Sequence, residues 1–269
     1  MTSLTKMLKI LDLFDDSHTG VELDEAVATT GASRATVYRY LKALSAAGLI
    51  APASGGTFVL GSRIIELDRL MRNTDPLATA ARPIMNAACA RLGLNLMLCS
   101  YYGDNVMCAE IVWPDRSVPQ AYERGRKMPM FHGAMAKLIL ANLTPYQLRN
   151  MMLWHAKDIR AAGLGDTWAD FRQAMARIRK DGSCVTRGEV VPGLVGIGAP
   201  VFDSDRRILG SIVFAVPTRK VAKLNEIELR REIVDVAQQI DAKIAHGGPG
   251  GRPVTARSAR PRRASLRDM

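Results

Sequence analysis

The densest chemistry in this chain lies in one stretch of fifteen residues, S-R-A-T-V-Y-R-Y-L-K-A-L-S-A-A, residues 33–47. Ser33, Arg34, Thr36, Tyr38, Arg39 and Lys42 supply hydroxyls, two guanidiniums, a phenol and an ammonium, and the stretch contains no carboxylate. Such groups pair with phosphate oxygens and with the acceptor edge of guanine. At 100° per residue, Val37, Tyr40, Leu41 and Leu44 share one side of a helix. Ala35, Tyr38, Arg39 and Lys42 share the other, flanked by Arg34 and Thr36. Arg34 and Arg39 are the candidates for base or phosphate contacts. Tyr38 either reaches the nucleic-acid backbone or packs on a neighbouring element. Thr57 and Ser54 are candidates for phosphate contact from a polar turn, although polar turn tips are also ordinary.

Other chemistries find little support. His18, His132, His155 and His246 have no metal-ligand spacing, and Cys89, Cys99, Cys108 and Cys184 form no C-x-x-C pair. G-x-S-x-G, H-E-x-x-H and P-loop patterns are absent. Neither a cofactor nor an enzyme activity is therefore expected. Gly193-x-x-Gly196-x-Gly198 leads into a strand rather than a helix, so its glycines read as close packing rather than a phosphate cradle. Glu189 binds a ligand or caps a turn. His132 reads as structural. Met97, Met107, Met128, Met130 and Met135 line an adaptable pocket or fill core.

The 33–47 helix needs elements to position it. Ser33 is a good N-cap. Before it, residues 24–30 read as a short helix capped by Asp24, and Gly31-Ala32 as a tight turn. Residues 4–15 place Leu4, Met7, Leu8, Leu11 and Phe14 on one helical stripe, and Asp15 to Gly20 reads as a polar loop. Gly48-Leu49-Ile50, the turn 54–57 and Phe58-Val59-Leu60-Gly61 read as a β-hairpin. Helix, glycine turn, basic helix and hairpin make a winged helix-turn-helix, whose second long helix enters the major groove. Ser62 caps a further amphipathic helix with Ile64, Leu67, Leu70 and Met71 on one side. That helix is too apolar for a bare linker and reads as a connector that also packs on a partner chain.

From Asp75 the pattern changes. Helices are expected over 76–92, 132–143, from Pro145, over 167–179 and over 225–245. Strands are expected over 95–102 and 105–113 about a Gly103-Asp104 turn, at 120–122, and over 183–187, 194–202 and 208–216. This order predicts an α+β domain with an antiparallel sheet flanked by helices. The hairpin sets Cys99 opposite Cys108, as reduced thiols.

Charge qualifies the nucleic-acid reading. The chain carries a formal +11. Residues 1–60 hold five bases and six acids, whereas residues 247–269 hold six arginines against Asp268. The basic, glycine-rich tail is expected to be disordered and either adds phosphate attraction or only aids solubility. A near-neutral reading domain binds DNA weakly alone, because phosphate neutralisation supplies most non-specific affinity, so a dimer is expected. No apolar run suffices for a membrane span and no signal peptide is apparent, so a cytoplasmic protein is expected.

Taken together, the chain resembles the IclR-type bacterial transcription regulators. At the N-terminus this rests on Leu8-Lys9-Ile10-Leu11, on Gly31-x-Ser33-x-x-Thr36-Val37-Tyr38-Arg39-x-Leu41, and on Leu60-Gly61. Further on it rests on Pro129 to Ala134, Lys137, Leu140-Ala141, Glu189-x-x-x-Gly193, Ile197 to Asp203, and a strand ending at Pro217. The resemblance implies three parts before the tail: a winged helix-turn-helix (1–61), a connector helix (62–74) and a GAF-like effector-binding and oligomerisation domain (75–246). It implies a regulator of a catabolic pathway that binds a double-stranded operator as a dimer or tetramer and senses a small organic acid. DNA contacts are then expected from Ser33, Arg34, Ala35, Thr36, Tyr38, Arg39, Lys42 and Thr57. Effector contacts are expected from Phe131, Ala134, Met135, Thr186, Glu189, Gly196, Val213 and Ala215. Phe131 stands where the family usually has histidine, and Val213 and Ala215 where it often has two hydroxyls. Their loss disfavours the smallest acids and favours a larger or more apolar one, such as an aromatic acid. Two other readings stay open: an enzyme domain fused to a DNA-binding module, and an architectural DNA-binding protein without an effector.

Overall fold

The computed structural model describes residues 2–102, 105–118 and 122–246. The expected Gly103-Asp104 turn, most of the 120–122 strand and the arginine tail lie outside these residues. The chain divides into two compact units at Thr74/Asp75.

The first unit contains α1 (Ser3–Lys9), a 3-10 turn at Ile10–Leu13, β1 (Gly20–Val21), α2 (Leu23–Thr30), α3 (Arg34–Ala46), β2 (Ile50–Pro52), β3 (Phe58–Leu60) and α4 (Ser62–Thr74). The three short strands form one antiparallel sheet in the order β1-β3-β2. The stretch read as a polar loop thus ends by adding β1 to the wing. α2 starts one residue earlier than expected. Glu22 stands at its cap and its amide donates to Glu25 Oε2 at 3.0 Å, while Asp24 turns to Arg34. Gly31 ends the helix in the left-handed region (φ 58°), where a side chain would be strained although nothing crowds it.

The predicted stripe on the first helix is displaced. Ile10 is fully buried, whereas Leu4 and Leu8 are exposed. The core side runs through Ser3, whose hydroxyl bonds the Tyr40 hydroxyl at 2.7 Å, then through Met7, Ile10 and Phe14. Ser3, Met7, Ile10 and Phe14 recur at helical spacing, so the core takes a neighbouring face, while Met7, Leu11 and Phe14 of the expected stripe still pack against it. α4 buries none of its residues; Ile65, Leu67, Leu70 and Met71 are all exposed.

The second unit contains α5 (Pro76–Leu92), β4 (Asn95–Tyr102), β5 (Asn105–Val112), β6 (Lys127–Met128), α6 (Gly133–Ala141), α7 (Pro145–Ala161) and α8 (Trp168–Asp181). It continues with β7 (Cys184–Arg187), β8 (Leu194–Phe202), β9 (Ile208–Pro217), α9 (Thr218–Val221) and α10 (Glu226–His246). Six strands form an antiparallel sheet in the order β6-β5-β4-β9-β8-β7. Alternation sorts its side chains. Leu96, Leu98, Ile197, Ile212 and Phe214 pack in one core with residues of α5 and α10. Met97, Cys99, Val213 and Ala215 pack in the other with α6, α7 and α8. Cys99 faces Cys108 as the hairpin register required, and both thiols are free and buried. No helix among the described residues is long and apolar enough to cross a membrane.

Candidate functional site

Two sites emerge, one in each unit. In the first, Ser33 Oγ accepts the Thr36 amide at 3.3 Å and starts α3. Val37, Tyr40, Leu41 and Leu44 are buried. Each fully buried aliphatic side chain here contributes about 1.5–3 kcal/mol, so this face fixes the rotation of the helix. The opposite face follows by geometry: Ser33, Arg34, Ala35, Tyr38, Arg39 and Lys42 are exposed, with Thr36 half-buried. Tyr38 is 60% exposed. Arg39 is restrained by a long contact from Nη2 to Thr36 Oγ1, 3.5 Å.

Two expected DNA contacts are otherwise engaged. The Arg34 guanidinium is paired with the Asp24 carboxylate, because the Gly31 turn brings the start of α3 beside the start of α2. The Thr57 hydroxyl donates to the Ser54 carbonyl at 2.9 Å and closes the wing turn. The uncompensated charge on the exposed face of α3 therefore comes from Arg39 and Lys42.

The second site lies at the head of α6. Sheet register assembles it. Thr186 pairs with Gly196 and Gly196 with Ala215, so these three form one row across β7, β8 and β9. The row beside it runs Cys184, Gly198, Val213 and Met97. α6 crosses these rows closely. A Cβ on Gly198 would lie 2.9 Å from Leu138 Cδ1 and 2.8 Å from Val213 Cγ2. The two glycines thus permit the helix to approach, as their place in a strand suggested.

A small cavity remains there, about 20 Å³, room for roughly one water. Of the expected effector residues, Ala134, Met135, Thr186, Glu189, Gly196, Val213 and Ala215 line it. Phe131 does not. It is buried against His155, ring centroids 5.5 Å apart, one position outside the helix cap at His132. Met97, Tyr122, Gly133, Val190, Val191, Leu194 and Val195 complete the lining. Only Met97 had been singled out among them. Strand alternation could have paired Leu194 with Gly196, but nothing in the sequence brings Tyr122 here.

The polar groups of this cavity are engaged with one another. The Ala134 amide donates to Thr186 Oγ1 at 3.1 Å and the Gly133 amide to Glu189 Oε2 at 2.9 Å. Lys137 Nζ donates to Glu189 Oε1 at 2.6 Å. Glu189 therefore caps a helix rather than a turn, and its carboxylate sits at the positive end of α6, where an anion is favoured. Burial pushes the Tyr122 phenol up to about 12, so it is a neutral hydroxyl at physiological pH.

Comparison with known proteins adds the following. The family described as bacterial transcriptional regulator IclR C-terminal matches residues 71–242, and the IclR helix-turn-helix domain matches residues 3–53. The HTH-type transcriptional regulator KipR of Bacillus subtilis is 23% identical over 248 residues, 91% of this chain and 97% of that protein. An IclR family transcriptional regulator from Brucella abortus has the same fold, with a TM-score of 0.74 at 16% identity, covering 91% of this chain and 92% of that one. An IclR homolog from Microbacterium hydrocarbonoxydans, complexed with 4-hydroxybenzoate, matches with a TM-score of 0.69 at 15% identity, covering 90% and 99%.

Proposed function

This chain belongs to the IclR family of bacterial transcriptional regulators, and on that premise we propose that it is a ligand-responsive regulator that binds operator DNA through α3. The observation that carries this reading is the split character of α3: four buried core residues lock its rotation, and Tyr38, Arg39 and Lys42 face outward from a winged unit. Side chains so fixed can read base edges in the major groove. The exposed apolar face of α4 supports assembly as a dimer or tetramer in the cytoplasm, presenting paired α3 helices about 34 Å apart.

We further propose that the cavity at the head of α6 is the effector site, for a small organic acid from a catabolic pathway. The carboxylate of Glu189 already occupies the position an acid would seek, and the cavity holds only about one water's volume. An acid therefore enters by displacing Glu189 and moving Met135, Val190 or Val191. An aromatic acid, the ligand class of the Microbacterium homolog, demands the larger opening. That coupling of entry to rearrangement supplies a trigger for changed DNA affinity.

The test is direct. DNA recovered with the protein is sequenced to define the operator, and operator affinity is then measured over a panel of keto acids and aromatic acids. A specific operator whose affinity shifts with one acid is expected. An operator indifferent to every acid would leave an architectural role, and turnover of a bound acid would establish an enzyme.

A further inference from the structure

A second cleft, larger than the cavity at the head of α6, opens at the far end of β8. β7 begins at Cys184, opposite Gly198, so β8 continues through Ala199–Phe202 with no strand beside it on that side among the described residues. The open edge is protected in two ways. Pro200 brings no amide, and the Phe202 amide donates to Asp241 Oδ1 at 2.8 Å. A second copy of the chain therefore finds no ready edge for strand addition. What remains is a cleft of about 420 Å³ between the ends of α6 and α8 and the middle of α10. Ligand clefts are commonly about 300–1,000 Å³, a range the α6 cavity does not reach.

The cleft combines an apolar wall with guanidinium groups. Pro200, Phe202 and Val234 line it beside Arg179, Arg206, Gln238 and Asp241. Arg206 is the one non-glycine residue at positive φ (59°) among the described residues, a conformation that costs energy unless its surroundings hold it. Its guanidinium lies 4.1 Å from the centroid of the Phe202 ring and 3.6 Å from Asp241 Oδ2. Arg179 is held differently. Nε donates to the Ala141 carbonyl at 2.5 Å and Nη2 to the Leu143 carbonyl at 3.4 Å, and no carboxylate among the described residues forms an ion pair with it. Two guanidiniums face one carboxylate, and the cleft is left net positive beside an aromatic ring and aliphatic side chains.

We propose that this cleft is a second small-molecule site, for a carboxylate that carries an apolar ring or chain, distinct from the cavity at the head of α6. The apolar wall takes the body of the ligand and the guanidiniums take its carboxylate, with bidentate geometry available to arginine.

Calorimetric titration of the full-length chain with benzoate tests this, with benzamide as the neutral isostere. Arg206→Gly removes the guanidinium and relaxes a backbone that already favours glycine, so the fold is retained. Because the proposed α6 site also takes aromatic acids, the titration is run in the Gly196→Ala background, which narrows that cavity, with and without Arg206→Gly. Benzoate is expected to bind Gly196→Ala, and to bind the Gly196→Ala, Arg206→Gly double variant at least about tenfold more weakly, with benzamide failing to bind. Benzoate binding to Gly196→Ala that Arg206→Gly leaves unchanged, that benzamide matches, or that is absent up to about 10 mM would overturn the proposal.

Discussion

Asp24, in the first turn of α2, holds the guanidinium of Arg34, the first residue of α3. An acid thus occupies one of the three bases of the reading helix. Exposed ion pairs add little to stability, so Asp24→Asn is expected to leave the fold intact while freeing Arg34 for phosphate. Non-specific duplex binding should tighten, and the slope of log affinity against log salt should steepen by about 0.9 for one added phosphate contact. An unchanged slope would place Arg34 away from the DNA.

Arg39 is expected to carry more of the proposed DNA reading than Arg34, because its guanidinium contacts the Thr36 hydroxyl rather than a carboxylate. Arg39→Ala is expected to weaken operator binding by about 1–3 kcal/mol, a factor of about 5 to 150. The melting temperature should not move, since the side chain is exposed. Near-normal operator affinity would show that the wrong face of α3 has been placed in the groove.

Gly196 and Gly198 lie two residues apart on β8 but should respond differently to one added methyl. At Gly198 the Cβ would meet Val213 Cγ2 at 2.8 Å and the Ile212 carbonyl at 2.9 Å, and a backbone oxygen cannot yield as a side chain does. Gly198→Ala is expected to cost about 1–3 kcal/mol by overpacking, read as a lower urea midpoint. At Gly196 the nearest atom is Thr186 Oγ1 at 3.2 Å, so Gly196→Ala should fold normally and lose effector response. Equal destabilisation of the two would contradict this packing.

Thr186 accepts the buried Ala134 amide. Thr186→Val keeps the shape and removes the acceptor, and is expected to cost about 1–3 kcal/mol in urea unfolding. Thr186→Ser restores the oxygen and should recover most of the loss. If valine and serine behave alike, the bond does not hold the head of α6.

Burial pushes the Asp241 carboxyl up from 3.8 to about 6, against the favourable effects of the Phe202 amide and Arg206. The folded state then binds a proton more tightly than the unfolded chain between these two values. Stability is therefore expected to fall as pH rises from about 4 to about 6. The full difference corresponds to about 3 kcal/mol at 1.36 kcal/mol per pH unit. Asp241→Asn should flatten that part of the profile and unfold at higher urea than the wild type at pH 7. A wild-type profile parallel to the variant's over this window would show that Asp241 titrates normally.

Much of the architecture was legible in the chain because it rests on local signals. Thr144 and Thr167 cap α7 and α8, Gly31, Gly93 and Gly182 end helices, and apolar-rich runs mark β4, β8 and β9. Leu4 and Leu8 of the first helix were misread as core and Ile10 was missed, because apolar residues cover more of that helix than the one face the core takes. β1 and β6 are only two residues long and exist by pairing with distant strands.

By itself, then, the sequence determined the reading helix, its buried and exposed faces and the order of elements around it, since these follow from residue type at fixed spacing. Only the tertiary structure decided which of those groups are free. Asp24 and Arg34 meet across a turn, Glu189 reaches α6 from the far side of the sheet edge, and Phe131 turns to His155 rather than the cavity. Each is a contact between residues far apart in the chain or brought together by a turn, set by packing and strand register, which no local periodicity encodes.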